Sequence, residues 1–224
     1  MRRRLLDRGA AAVSIAPIWT PHWLLAGFVG FGPLLRMTGI AIAGAYRKAG
    51  HEPSIVVGHS AGGLLARLAM SATPFRGRIA AVQPAVGALV TLGTPHGLAA
   101  VARQRQHAGH VAVRFLDTTN PGAFFAPRTG YLTVAGGAVQ GGSAAGRFYG
   151  AFHRASARSS AGDGLVPIDA AHLPGARQLT LPDVRHGHWG SPWYGDEEVI
   201  DRWWPEALDA WRLALEARRG DDAN

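Results

Sequence analysis

A serine bracketed by glycines, set between an apolar run and a leucine-rich one, constrains this chain more than any other feature. Ser54-Ile55-Val56-Val57 leads into Gly58-His59-Ser60-Ala61-Gly62-Gly63, and Leu64-Leu65 follows. The first run reads as a buried strand, and Ala61 to Ser71, rich in Leu and Ala, as a helix. A serine at so sharp a strand-to-helix junction is held in a strained backbone conformation, with its hydroxyl pushed out at the end of the sheet. Glycines at 58 and 62 are expected because side chains there would collide with the neighbouring strand and helix. The helix N-terminus behind Ser60 directs partial positive charge towards an oxyanion forming beside it. A glycine-rich turn can have this composition by chance. With a strand before it and a helix after it, it reads as the seat of a nucleophile.

The rest of the chain repeats the alternation. Ala10 to Ala16, Val86 to Leu92, Tyr131 to Ala135 and Gln178 to Leu181 read as further strands. Pro33 to Ala49, closing at Gly50, and Glu197 to Arg219, bent at Pro205, read as helices. The strand runs are continuously apolar rather than alternating, the pattern of strands covered on both faces. The expected fold class is therefore α/β, a mostly parallel sheet with helices on both faces. No repeat or low-complexity linker divides the 224 residues, so one domain is expected, with a frayed tail from Gly220. Pro17 to Gly32 and Thr94 to Gly130 are long irregular stretches, and loops of that length in a compact domain carry function more often than not.

Composition removes several alternatives. Apolar residues make up 47% and charged residues 17%, the balance of a chain that buries a core. The absence of cysteine excludes thiol catalysis, thiolate metal sites and disulfides. The net charge of +8 rests on 23 basic residues, of which only Lys48 is a lysine. They are dispersed apart from Arg2-Arg3-Arg4, and no nucleic-acid-reading motif accompanies them, so no nucleic acid is expected as a partner. A positive surface does favour contact with anionic membrane headgroups. Arg36 and Pro33 interrupt the apolar stretch from Trp23 to Tyr46, which argues against a membrane span. Asp7 and Arg8 break the N-terminus too early for a signal peptide, which favours a cytoplasmic location.

Other segments recur in a recognisable order: Thr91-Leu92-Gly93-Thr94-Pro95-His96-Gly97, Asn120-Pro121-Gly122-Ala123-Phe124 and Gly162-Asp163-Gly164-Leu165-Val166-Pro167. A late histidine then precedes Trp193-Tyr194-Gly195 and Trp203-Trp204. With the serine turn, these resemble the α/β-hydrolase superfamily over roughly residues 10 to 205, in particular its lipase-like and GPI inositol-deacylase-like serine esterases. The resemblance implies Ser60 as nucleophile, then an acid, then a histidine base. It points to Asp163 as the acid. Asp-Gly ordinarily marks a turn in which the aspartate bonds its own backbone, and Asp169 and Asp183 stand in reserve. For the base, the family pattern aligns with His186, with His188 two residues on as the alternative. A histidine pair raises a metal reading, but neither further ligands nor helical i, i+4 spacing accompany it, so no metal and no cofactor are expected. His59 and His96 are expected to pack or to orient their neighbours.

One oxyanion donor is expected at the Ala61 N–H. The second normally follows an earlier strand, and here Arg2 to Gly9 already reads as the helix beyond that loop. The fold is therefore expected to lack its N-terminal strands. Three explanations remain open: a start further upstream, a donor supplied from elsewhere, or an impaired protein. Trp19, Trp23, Phe28 and Phe31 in one long stretch, and Phe115, Phe124 and Phe125 in the other, form a candidate substrate rim near the carboxyl ends of the strands. An apolar rim suits acyl chains, although aromatics also pack under loops to hold them down. Trp203, Trp204 and Trp211 read as the buried face of the last helix. The function that follows is hydrolysis of carboxylic esters, of lipids above all, through an acyl-serine. Acyl transfer to an alcohol or thiol uses the same triad, and an inactive hydrolase retained for lipid binding is the non-enzymatic alternative. The oligomeric state leaves no mark on the sequence.

Overall fold

A computed structural model describes residues 1–19, 21–23, 26, 30–97, 108–139, 161–187 and 192–222. Its four strands are β1 (Ser54–His59), β2 (Val86–Leu92), β3 (Gly130–Gly136) and β4 (Arg177–Leu181). They pair in parallel in the order β1-β2-β3-β4, with Val57 opposite Val90, Val90 opposite Leu132, and Val134 opposite Leu179. Every residue of β2 is buried, as its unbroken apolar run requires. Parallel strands need crossovers, and six described helices accompany them: α1 (Arg2–Leu6), α2 (Gly32–Lys48), α3 (Ala61–Met70), α4 (Ala108–Thr119), α5 (Ile168–Ala171) and α6 (Glu197–Asp222).

The pleat sends successive side chains to opposite faces and so divides the core. Val90, Leu92, Leu132 and Val134 meet Ile200, Trp203, Trp204 and Ala207 of α6, with Leu5 of α1 at the margin. Leu89 and Tyr131 point the other way, onto Ala66 and Met70 of α3. Beyond them α2, α3 and α4 pack through Leu34, Leu35, Leu64, Leu68, Val113 and Leu116. The helices thus cover both faces of the sheet. Trp203 is completely buried, and truncating such a side chain to alanine costs about 3–5 kcal/mol.

Three expectations need correction. Ala10 to Ala16 is not a strand: it joins no ladder and is largely exposed, with only Ala10 and Val13 touching the α6 cluster. Four of its seven residues are alanine, which satisfies an apolar pattern while carrying little apolar area to drive burial. The stretch from Thr94 to Gly130 is not irregular throughout, because α4 lies within it. Gly109 and two threonines disguise that helix, but Ala108, Ala112, Val113 and Leu116 form its buried stripe. The last helix does not stop at Arg219 but runs on through Gly220, whose neighbour Asp221 pairs with Arg128 at 2.7 Å. Within it Pro205 lacks an N–H to donate and its ring crowds the carbonyl one turn back, while Trp203, Trp204 and Ala207 hold both sides of it in the core.

Candidate active site

The end of β1 turns into α3 on Ser60, whose φ of 54° and ψ of −131° lie where side chains other than glycine are strained. Local bonds hold that conformation. The Ser60 N–H donates to the Leu92 carbonyl at 2.9 Å, and Thr94 Oγ1 donates to the Ser60 carbonyl at 2.8 Å. A Cβ on Gly58 would lie 2.6 Å from the backbone of Gly63, so glycine is required there. The second constrained position is Gly63 rather than the expected Gly62. A Cβ on Gly63 would strike the Thr94 side chain, whereas one on Gly62 meets nothing within 4 Å. The α3 turn carries Gly62 away from the sheet and lays Gly63 against the loop after β2. Ser60 and Ala61 remain partly exposed, and the Ala61 N–H, first in its helix, has no intrahelical acceptor.

Asp163 and His186 are brought together from opposite sides of the β4 excursion. His186 Nδ1 lies 2.8 Å from Asp163 Oδ2, and the His186 N–H donates to the Asp163 carbonyl at 2.9 Å. Both side chains are buried. The other carboxylate oxygen, Oδ1, accepts the N–H groups of Leu165 and Val166 at 2.9 and 2.7 Å. The turn-forming and histidine-orienting roles of an Asp-Gly aspartate are therefore divided between its two oxygens. Of the reserve acids, Asp183 pairs with Arg202 on α6 at 2.8 Å and Asp169 sits in the first turn of α5. His188 lies outside the described residues, as does Phe28.

His59 joins the serine turn to the histidine loop. Its ring stacks on His186 with centroids 4.7 Å apart, and its Nε2–H donates to the His186 carbonyl at 2.8 Å. Burial, reinforced by His186, lowers its pKa to about 4. The ring is neutral near pH 7 and serves as an anchor. Among the described residues no hydrogen bond joins Ser60 to the His186 ring.

Two positions outside the predicted set complete the surroundings. Tyr194 Oη donates to Asp163 Oδ2 at 2.8 Å. Its place in Trp193-Tyr194-Gly195 was legible only as a family mark, since nothing local to a tyrosine tells which carboxylate it will meet. Arg67 on α3 donates to the Asn120 carbonyl at 2.9 Å and approaches His96 Nδ1 at 3.3 Å.

The rim divides. Trp23 packs edge-on to Phe31 at 6.2 Å and shares a cluster with Ala61, whereas Trp19 is 66% exposed. Phe31 is core, not rim, and Phe115 packs on Phe75 at 5.1 Å. Phe124 is misassigned to the site. Its neighbours Gly122, Ala123 and Phe125 contact Pro174, just before β4, and Tyr131, near the start of β3. That is the amino end of the sheet, the opposite edge from Ser60, because α4 carries the chain back before β3 begins.

Residues 38–114 match a family model described as a PGAP1-like alpha/beta domain. The structure is similar to the mature form of the lipase BlEst2 from Bacillus licheniformis, at 21% identity and a TM-score of 0.52, over 81% of this chain and 74% of that one. The fold is that of an α/β hydrolase. No curated protein matches the chain by sequence. Among the described residues, no helix is long and apolar enough to cross a membrane, and no group of three or more His, Cys, Asp or Glu side chains could hold a metal ion.

Proposed function

We propose that this α/β hydrolase cleaves carboxylic esters, those of lipids above all, through an acyl-serine formed on Ser60. The observation that carries the reading is the strained Ser60 turn joined, through His59, to a buried Asp163–His186 pair. A serine hydroxyl is a weak nucleophile until a base takes its proton. Asp163 occupies Nδ1 of His186 and so leaves Nε2 as the basic nitrogen. Ser60 Oγ attacks the ester carbonyl carbon while its proton passes to Nε2. The carbonyl oxygen becomes an oxyanion, which the Ala61 N–H and the α3 N-terminus stabilise. Collapse breaks the bond to the alcohol oxygen, which leaves with the proton from His186. Water then repeats the sequence on the acyl-serine, releasing the carboxylic acid and restoring Ser60. Trp23, in the cluster that includes Ala61, and the exposed Trp19 supply apolar surface for an acyl chain.

A fluorophosphonate probe tests the reading directly. Ser60 should be the labelled residue, and Ser60→Ala should abolish both labelling and turnover of a short-chain nitrophenyl ester. Labelling that survives the substitution assigns the nucleophile elsewhere. A folded wild-type protein that neither labels nor turns over ester refutes the enzyme reading.

A further inference from the structure

The Asp163 carboxylate receives more donors than orienting a histidine requires. Oδ1 accepts two backbone N–H groups, while Oδ2 accepts both His186 Nδ1 and the Tyr194 hydroxyl, each at 2.8 Å. A carboxylate offers about four acceptor positions, so this one is saturated. The tyrosine is completely buried, and Trp203 Nε1 bonds its carbonyl at 3.1 Å, tying it to α6. The Gly136 N–H donates to the phenol oxygen at 2.7 Å. A hydroxyl has a single proton, so filling its acceptor side from Gly136 directs that proton towards Asp163 Oδ2.

Two glycines at the carboxyl ends of the central strands make room for this arrangement. A Cβ on Gly93, itself at φ +54°, would lie 2.5 Å from Asp163 Oδ2 and 2.8 Å from the Tyr194 oxygen. One on Gly136 would lie 3.0 Å from the same oxygen and would strike the Val184 carbonyl. Gly93 belongs to Leu92-Gly93-Thr94, where the Thr94 hydroxyl also bonds the Ser60 carbonyl. The loop that braces the nucleophile therefore also clears the space for the phenol.

We infer that Tyr194 is a positioning residue for the reaction, acting through Asp163. Its hydroxyl fixes the carboxylate plane so that Oδ2 faces His186 Nδ1. It also shares the oxygen that supports the imidazolium, which limits how strongly Asp163 holds the transferred proton. Tyr194 thus balances two demands: the base must take the serine proton and then release it to the leaving alcohol. This role rests on the triad assigned above.

The test compares Tyr194→Phe with wild type on a short-chain nitrophenyl ester, across pH and beside Ser60→Ala. Loss of one hydrogen bond to a charged group predicts a fall in kcat of about 10- to 100-fold, with KM within about twofold because the phenol contacts no substrate. Without the phenol the carboxylate holds the imidazolium more tightly, so the acidic limb of the rate profile should move to higher pH. A folded Tyr194→Phe protein with wild-type kcat and an unmoved acidic limb overturns the inference. If Ser60→Ala keeps its turnover, the triad itself fails, whatever Tyr194→Phe does. A dead Ser60→Ala beside an unaltered Tyr194→Phe removes only the tyrosine role. Should the phenylalanine variant not fold, site-specific Tyr194→4-fluorophenylalanine keeps a substituent of similar size at the phenol position but has no proton to donate to Asp163 Oδ2. It should show the same fall in kcat and the same shift of the acidic limb. A folded 4-fluorophenylalanine protein with wild-type kcat and an unmoved acidic limb overturns the inference equally.

Discussion

Two buried polar clusters border the Ser60 turn, each built around a histidine, and they are wired with opposite charge. At one, His186 faces the Asp163 carboxylate, which holds Nδ1 and, among the described residues, leaves the other ring nitrogen unengaged. At the other, His96 faces the Arg67 guanidinium. Arginine only donates, so Nδ1 of His96 must accept at 3.3 Å, and its Nε2–H then donates to Thr91 Oγ1 at 3.0 Å. Burial and the charge of Arg67 push the His96 pKa well below its ordinary value, and burial pushes Arg67 down as well. Both nitrogens of His96 are committed and its proton is excluded, so the ring works as a strut between α3, the loop after β2 and the end of α4. A buried histidine becomes a proton carrier only where its partner is anionic and one nitrogen is left over.

If the clusters divide as described, damage to each should appear in a different measurement. The largest effect is expected from Asp163→Asn, which keeps the bonds to Leu165 and Val166 but presents the wrong partner to His186. Turnover should fall about 10⁴-fold with the melting temperature nearly unchanged. A large loss of stability without that loss of turnover would make Asp163 a turn residue only. Arg67→Ala should do the reverse. It strips donors from His96 and from the Asn120 carbonyl, and should cost about 3–4 kcal/mol in denaturant unfolding. Turnover per probe-labelled serine should stay within a few-fold of wild type, and a much larger drop would join the two clusters into one.

A smaller effect should appear with pH. The folded-state pKa of His59 is depressed from 6.5 to about 4, and that of His96 is also depressed, so between those values the unfolded chain binds protons that the folded chain refuses. Stability should therefore decline as pH falls from 6.5 towards 4, with His59 contributing up to about 3 kcal/mol. His59→Gln should flatten that part of the decline and leave the His96 part standing. A decline that His59→Gln does not change would place the titration elsewhere.

The serine turn and most of the sheet were legible because they depend on local signals. Gly58 to Gly63 specify a strand-to-helix turn whatever surrounds them, and runs such as Val86 to Leu92, with two valines and two leucines, carry enough apolar area to demand burial. Ala10 to Ala16 failed as a strand because alanine matches the apolar pattern without that area. Phe124 was misplaced because sequence separation does not say to which end of a sheet a loop returns. The requirement for glycine moved from position 62 to 63 because the clash is with Thr94, thirty-one residues on.

What is written into short segments was thus determined by the sequence alone: a strained serine turn, an aspartate between glycines, a late histidine, and parallel strands buried on both faces. Tertiary structure alone decided which groups complete them. It set Asp163 rather than Asp169 or Asp183 beside His186, made His59 an anchor, and brought the Tyr194 hydroxyl and the Arg67 guanidinium each to a specific partner. The physical reason is range. Backbone strain and burial drive act within a few residues of their source, whereas a buried hydrogen bond is defined only when two distant segments meet at about 3 Å.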